Sequence, residues 1–565
     1  MKKPLLLAAA LSSSVLFALA LPNEVFAYGM PALGTLALIP LYFAMGAAPS
    51  YRFAALAAGL YGALHHALSS YWLYFFKDFA LYTIGATTLA YFVVYAVFGF
   101  YLAFFLKKTG PYRPLAFALL WTSFEFLKST GFLGYPWGLL PYTQTEVLPL
   151  LQIADITGIY GLSFLLAFAN AVLAEGLARA SRPVPGQPRP DGLYLAARRI
   201  PASRRTAKPA RGRRVGAASL PGPEALDRGL KLRYFGFALF LGVAVLAYGR
   251  FRLAEPFEAA TNVDAVLVQQ NVDPWYLGEE AALEANIRMA RSKLDPEGRA
   301  PDIVVFSETS LKRPYKEFTS WFSKTPASDP LVPFIRDSRA HLFTGAPVVL
   351  DWETLEMSNS VLLIDPAGRQ VEEYAKLHPV PFAEAIPLWE FEWFRTFMRT
   401  VVGMDSGWVM GSEYTVFELP TKKGSVRFGA PICFEDAFPE VCREFFLADP
   451  PADFLLNLTN DSWSKTNSAE IQHFAAARFR AIEFRRTLVR STNGGLTCVV
   501  DPSGAVIAEL PLFEQAALRT EIPIHRGPAT AYLLLGDWFA RLCLLLSASW
   551  SLILIAKDFR ARRRP

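Results

Sequence analysis

The stretch VRFGAPICFED, residues 426–436, carries an apolar run into a cysteine, and FPEV at 438–441 then opens a helix. A thiol at a sharp strand-to-helix turn stands clear of its own backbone. The amide N–H groups after such a turn converge where an oxyanion would form. A free thiol, with a pKa of about 8.5, needs a base to take its proton or a cation to hold the thiolate. Two upstream segments supply both. PDIVVFSET, residues 301–309, reads as a buried strand ending in Glu308. VEEYAKLHPVPFAE, residues 371–384, places Lys376 just before a proline-stiffened loop. Taken singly, Cys433 would be an ordinary buried thiol, and Glu308 and Lys376 ordinary solvated strand ends. As an ordered set they are expected to meet, because open α/β sheets converge on one crevice at the carboxyl ends of their strands. Glu308 is then the base, and Lys376 the cation for thiolate and oxyanion.

The elements that must position them begin at Val263. Short strands alternate there with helices: DAVLVQQN, an amphipathic stretch near 279–293, DIVVFSE, a helix near 329–338, HLFTGAPVVL and SVLLIDPAG. The turns DPAG at 365–368 and DPSG at 501–504 punctuate the series. This alternation predicts a layered α/β domain over 251–530. FLLNLTN, residues 454–460, is a further strand, and its end brings Asn460, Asp461 and Trp463 to the crevice, where they are expected to shape the pocket. Residues 468–485 read as a helix with Arg480 and Glu483 spaced to pair on one face as scaffolding.

The rest of the chain is too apolar for water. It is 53% hydrophobic, with a mean hydropathy of +0.25. A span needs about 20 apolar residues, and the segments 4–20, 30–47, 53–75, 79–106, 113–129, 158–177, 233–250 and 531–556 make about eight. Residues 1–250 are thus expected to form a membrane domain, and 531–565 a last span with a basic tail. Lys2, Lys3, Arg52, Lys107, Lys108, Arg113, the Arg-dense loop 178–232 and the tail all fall on one side if every span crosses. The loops 21–29 and 130–157 carry almost no Lys or Arg. Positive charge stays inside, so both termini are expected in the cytoplasm and residues 251–530 outside. ALA at 18–20 resembles a signal-peptidase site, but another apolar segment follows at once, which favours an uncleaved span. GYPWGLLPY at 134–142 holds too many breakers for a helix and reads as an outer-surface loop with interfacial aromatics.

Other chemistries find no support. The loop 178–232 lacks the apolar surface to order itself and reads as a disordered orientation signal, with attraction to anionic inner-leaflet lipid as the functional alternative. Aromatic stacking platforms do not punctuate it, so nucleic acid is not an expected partner. Four unpatterned cysteines and six scattered histidines give neither a disulfide framework nor a metal site, and no glycine-rich phosphate loop is present. No cofactor and no metal are expected.

With Glu308, Lys376 and Cys433 in that order and context, the chain resembles the nitrilase (carbon–nitrogen hydrolase) superfamily and its Glu-Lys-Cys triad. KLHPVPFAEAIP at 376–387 and LLNLTNDSWSKTNSAEIQHFAAARFRAIEFRRTLVRSTNGG at 455–495 resemble one branch, the apolipoprotein N-acyltransferases. The likeness extends to the membrane part. Phe306-Ser307 stands where that family often has Trp-Pro, Phe434 where Tyr is expected and Ala383 where Gly is expected, while all triad groups are kept.

The resemblance implies an αββα sandwich on the periplasmic face of a bacterial inner membrane, working as a monomer. It implies a phospholipid acyl donor, a thioester on Cys433, and transfer to the α-amine of a lipoprotein's N-terminal diacylglyceryl-cysteine. By match in position, Glu384 and Glu435 orient Lys376 and Cys433, and Phe434 lines the site. A membrane-tethered amidase using water as acceptor is the alternative, and a non-catalytic scaffold a weaker one. The aromatic segment IPLWEFEWFRTFMR, residues 386–399, is expected to be an interfacial lid. Trp389 and Trp393 would enter the headgroup boundary, and Gly403 and Gly407 would hinge.

Overall fold

The computed structural model describes residues 2–75, 80–180, 223–272, 277–295, 298–386, 388–402 and 407–562. Most of the basic loop, from 181 to 222, and the candidate hinge Gly403 lie outside the described residues.

Among the described residues, twelve strands lie between the N-terminal membrane helices and the last one: β1 (Thr261–Gln269), β2 (Ile303–Val305), β3 (His341–Asp351), β4 (Glu356–Ile364), β5 (Gln370–Ala375) and β6 (Val416–Thr421). The second half supplies β7 (Gly424–Gly429), β8 (Phe454–Thr459), β9 (Leu488–Thr492), β10 (Cys498–Val500), β11 (Val506–Glu509) and β12 (Ala516–Ile524). They form two six-stranded sheets, ordered β12-β1-β2-β3-β4-β5 and β11-β10-β9-β8-β7-β6. In each, a parallel centre (β1-β2-β3, β7-β8-β9) is flanked by antiparallel strands. Central parallel strands are buried on both faces and need apolar runs, which VLV and IVV provide outright and FLLNL provides with Asn457 as its one polar residue.

The sheets pack through Val263, Leu267, Phe343, Phe417, Phe428 and Leu455. Each such side chain contributes about 1.5–3 kcal/mol by leaving water. Helices Glu279–Arg291 and Leu331–Ser338 cover the first sheet through Leu283, Ile287, Phe334 and Ile335. Helices Pro439–Leu447 and Asn467–Phe484 cover the second through Phe445, Phe474 and Phe484. The layers are αββα.

Among the described residues, five helices are long and apolar enough to cross a membrane: Lys3–Ala20, Thr83–Lys108, Ile159–Ala178, Arg233–Ala254 and Trp538–Arg560. Tyr51–Ser69 and Arg113–Ser129 pack among them. Three expected spans differ in shape. The segment 30–47 is two pieces, Pro31–Gly34 and Ile39–Gly46, because Pro40 cannot donate into a continuing helix and starts a new one. The 53–75 segment ends its helix at Ser69 and finishes as the 3-10 turn Tyr71–Phe75. At 531–556, Thr530 caps Ala531–Leu535, and Gly536 (φ +59°) breaks the chain before the final helix.

One expectation is corrected outright. The segment 134–142 forms no α-helix, as its prolines and glycines dictate, and runs into the 3-10 turn Leu140–Gln144, but Trp137, Leu139, Leu140 and Tyr142 are buried rather than laid on an outer surface. The α/β domain sits on top of them. Helix Asn467–Phe484 is buried along its length because one face meets the second sheet and the other meets the membrane bundle. Gln472 Nε2 donates to the carbonyls of Pro22 (2.8 Å) and Ser69 (3.0 Å), and Arg485 pairs with Asp155 at 2.8 Å. These bonds fix the domain on the bundle.

Candidate active site

β7 delivers the chain to Pro431-Ile432, and Cys433 opens the 3-10 turn Cys433–Ala437. Its φ of +50° lies in the left-handed region, which costs a residue with a Cβ roughly 1–2 kcal/mol. The surroundings hold it there. Ile432 bridges to Leu458, and Asn457 Nδ2 donates to the carbonyls of Pro431 (2.9 Å) and Cys433 (3.2 Å). Cys433 is partly exposed, while Cys442, Cys498 and Cys543 are buried. Its side chain packs against both the membrane core and the intersheet core, so the thiol stands where the two domains meet.

Glu308, just past β2, and Lys376, just past β5, are both buried and face each other with Nζ to Oε1 at 3.8 Å. Lys376 pairs more closely with Glu384, at 2.8 Å. Asn359 Nδ2 donates to Glu308 (2.9 Å) and to Glu384 (3.0 Å), and the Asn460 backbone N–H donates to Glu308 Oε2 at 2.9 Å. Burial works against charge on Lys376, but Glu384 and then Glu308 outweigh it and hold the ammonium above the ordinary lysine value. Burial raises the Glu308 carboxyl above the usual range, and Lys376 opposes it. Burial, reinforced by Glu308, also holds the Cys433 thiol well above its ordinary value, with Lys376 pulling the other way. The resting site thus holds a protonated thiol beside a carboxylate of raised basicity.

The Glu435 carboxylate does not bond the thiol. It collects backbone donors instead, from Leu377 (2.7 Å), His378 (2.8 Å) and Ile432 (2.8 Å), and the Tyr374 hydroxyl at 3.1 Å. Burial pushes its carboxyl up to about 7, against those N–H donors. It ties the loop after Lys376 to the turn that carries Cys433. The Glu435 amide N–H donates to the Ile432 carbonyl (3.1 Å), which removes it from any oxyanion-binding role.

The remaining residues singled out in the sequence fall in different places. Phe434 stacks on Trp137 of the membrane loop, with ring centroids 5.3 Å apart, and Trp463 meets Trp72 at 5.6 Å. Asp461 lies beneath the turn, hydrogen-bonded to His473 at 3.0 Å. Arg480 and Glu483 pair at 2.8 Å, fully buried, and Arg480 also donates to the Ala437 carbonyl (3.3 Å) at the end of the Cys433 turn. The segment expected to be a lid is largely exposed, with Ile386 and Met398 near its two ends buried. Helix Glu392–Phe397 has no buried residue, Trp393 is 67% exposed, and Trp389 lies 5.2 Å from the Arg399 guanidinium.

Sequence reasoning missed Asn359, Asn457 and His473. The two asparagines are the polar interruptions in SNSVLLI and FLLNLT, and an amide inside a buried strand must find partners. No histidine or cysteine cluster able to hold a metal occurs among the described residues.

Two family models match the chain: the apolipoprotein N-acyltransferase N-terminal domain over residues 13–172, and carbon-nitrogen hydrolase over residues 302–532. The chain is 37% identical to apolipoprotein N-acyltransferase 2 of Treponema denticola over 98% of its own length and 97% of that protein. It is also 37% identical to apolipoprotein N-acyltransferase 2 of Treponema pallidum, over 95% and 92% of the two chains. The crystal structure of Saccharomyces cerevisiae Nit3, described as a member of branch 10 of the nitrilase superfamily, aligns with a TM-score of 0.34. That alignment has 17% identity over 47% of this chain and 91% of that one.

Proposed function

The chain belongs to the apolipoprotein N-acyltransferase family, and we propose that it moves a fatty acyl chain from a phospholipid, through a thioester on Cys433, to the α-amine of a lipoprotein's N-terminal diacylglyceryl-cysteine. The observation that carries this reading is the placement of a partly exposed thiol, flanked by Glu308 and Lys376, at the seam between an α/β domain and a membrane bundle. A water-soluble substrate has no need of that seam, whereas a lipid reaches it from the bilayer.

Glu308 takes the Cys433 proton as sulfur attacks the ester carbonyl of the phospholipid. Lys376 faces the oxyanion and is already neutralised by Glu384, so Glu308 is the carboxylate left with charge to exchange for a proton. Collapse of the tetrahedral intermediate returns that proton to the departing alkoxide, and a lysophospholipid leaves. The α-amine of the acceptor then attacks the thioester, Glu308 takes its proton, and the amide forms as the thiol is regenerated. Splitting the transfer in this way lets two bulky lipids use one pocket in turn. Trp389 and Trp393 line a mobile flap over the donor chain, and Phe434, Trp463, Asn460 and Asp461 shape the pocket.

For topology, about eight crossings with both termini in the cytoplasm and residues 251–530 on the periplasmic side fit the distribution of Lys and Arg. In this arrangement 1–250 and 531–565 are the membrane portions, and the enzyme works as a monomer. The competing reaction is hydrolysis of an amide with water as acceptor. The purified protein in phospholipid vesicles, given a diacylglyceryl lipopeptide, is expected to yield N-acylated peptide and lysophospholipid. Ammonia release from simple amides with no N-acylated peptide would overturn the reading in favour of the amidase.

A further inference from the structure

Behind the nucleophile lies a buried polar set that the mechanism above does not use. His473, on helix Asn467–Phe484, directs Nε2 to Asp436 Oδ1 at 2.9 Å and Nδ1 to Asp461 Oδ1 and Oδ2 at 3.0 and 3.1 Å. Arg490 on β9 bonds Asp436 Oδ2 on the far side and lies 3.6 Å from Asp461. All four are buried. Two cations and two anions alternate around a closed ring, and a histidine that meets a carboxylate at each nitrogen is a double donor.

Glu470 adjoins Asp461 and takes a bond from Ser464 at 2.8 Å, and burial holds its carboxyl well above the usual range. The ring of Trp137, from the membrane loop, lies 5.6 Å from His473. The titratable groups around His473 are therefore Asp436 from the nucleophile turn, Asp461 from the loop after β8, Arg490 from β9 and Glu470 from its own helix.

The placement of the two aspartates gives this set a role. Asp436 belongs to the turn that starts at Cys433, and Asp461 follows Asn460, whose backbone N–H holds Glu308. We propose that His473 is a positioning residue of the acyl transfer, an imidazolium that joins the Cys433 turn to the segment orienting Glu308 and screens the thiol from the negative charge of Asp461. This rests on Cys433 being the nucleophile, as argued above. The electrostatics agree in sign. Asp461 raises the Cys433 thiol, and His473 is carried up to about 9 by Asp461 and Asp436 in spite of burial. Loss of the imidazolium charge leaves Asp461 to Arg490 alone, at 3.6 Å, and the weaker screening makes the thiolate harder to form.

The test reads the thiol itself and does not depend on acyl transfer. Alkylation of Cys433 by iodoacetamide, followed by peptide mass spectrometry in the intact membrane-reconstituted protein, gives an apparent pKa for thiol reactivity. His473→Gln is expected to raise it by about one unit, the size of an uncompensated neighbouring charge. Asp461→Asn is expected to lower it. The pair therefore moves the thiol in opposite directions, and the double variant falls between. A purely structural role predicts the same direction in both, or no movement with only a lower melting temperature; either result overturns the proposal. If His473→Gln does not fold, Asp461→Asn decides alone, since an unchanged or raised value contradicts the screening. If Cys433 is not the acyl carrier, these shifts still appear while lysophospholipid release survives Cys433→Ala, so the two failures are distinguishable.

Discussion

Glu384→Gln separates the two carboxylates around Lys376. In the native site the ammonium lies 2.8 Å from Glu384 and 3.8 Å from Glu308, so the closer anion neutralises it and leaves the other free to accept a proton. The glutamine keeps the size, and its carbonyl can still accept from Val380 N–H, now at 2.8 Å. It cannot keep the charge. Lys376 then turns to Glu308, the one remaining anion, and the base becomes an ion-pair partner. Losing a charge-assisted hydrogen bond costs about 1.5–3 kcal/mol, which corresponds to roughly 10- to 150-fold in rate if the loss falls on the transition state.

The pH dependence carries a sign as well. Glu384 is one of the groups that raise the Glu308 carboxyl, so its removal lowers that pKa. Glu308 must be ionised to act as base, and the acid limb of the acylation profile therefore moves to lower pH while the plateau drops. The assay is single-turnover release of lysophospholipid from vesicles across a pH series. A plateau within about twofold of wild type, or an acid limb that stays put or moves up, would refute the division of labour between the two carboxylates.

Three further outcomes are expected. Lys376→Arg should lose acyl-enzyme formation by at least about 100-fold although charge is retained, because a planar guanidinium does not fit a buried site built for a compact ammonium; near-normal single-turnover rates would contradict this. Asn457→Ala removes two bonds that hold the left-handed Cys433 turn. It should cost about 1–3 kcal/mol of stability, read as a lower melting temperature, and slow acylation in parallel. Replacing Trp389 and Trp393 by Ala should slow turnover on bilayer phospholipid much more than on short soluble acyl esters. Equal losses with unfolding would place the segment in the core.

Much of the catalytic domain was legible because its signals are local. The buried runs IVV and FLLNLT are strands, and the residues just beyond strands β2, β5 and β7 converge as strand ends in open sheets do. What the sequence hid depends on contacts between distant segments. The burial of Trp137 and its neighbours follows from the α/β domain resting on the bundle, and nothing within GYPWGLLPY records that. Proline and glycine correctly marked an irregular stretch but not its depth. Likewise, the polar residues of helix Asn467–Phe484, among them Glu470, Gln472, His473, Arg480 and Glu483, suggest a solvated surface, yet all are buried because the helix is pressed from both sides. The ring of Asp436, Asp461, His473 and Arg490 draws on four separate segments, so no spacing announces it. Glu435 was singled out by position, yet three of its partners are the backbone amides of Leu377, His378 and Ile432, which a side-chain pattern does not encode.

The most direct test of the central claim is to trap the acyl-enzyme. The purified protein incubated with phospholipid vesicles, quenched in acid and digested, should carry one fatty acyl thioester, on the peptide containing Cys433. A chase with diacylglyceryl lipopeptide should remove it and yield the N-acylated amide in equal amount. An adduct on Cys442 or Cys498, no adduct at all, or a Cys433 thioester released only as free fatty acid would contradict acyl transfer through this thiol.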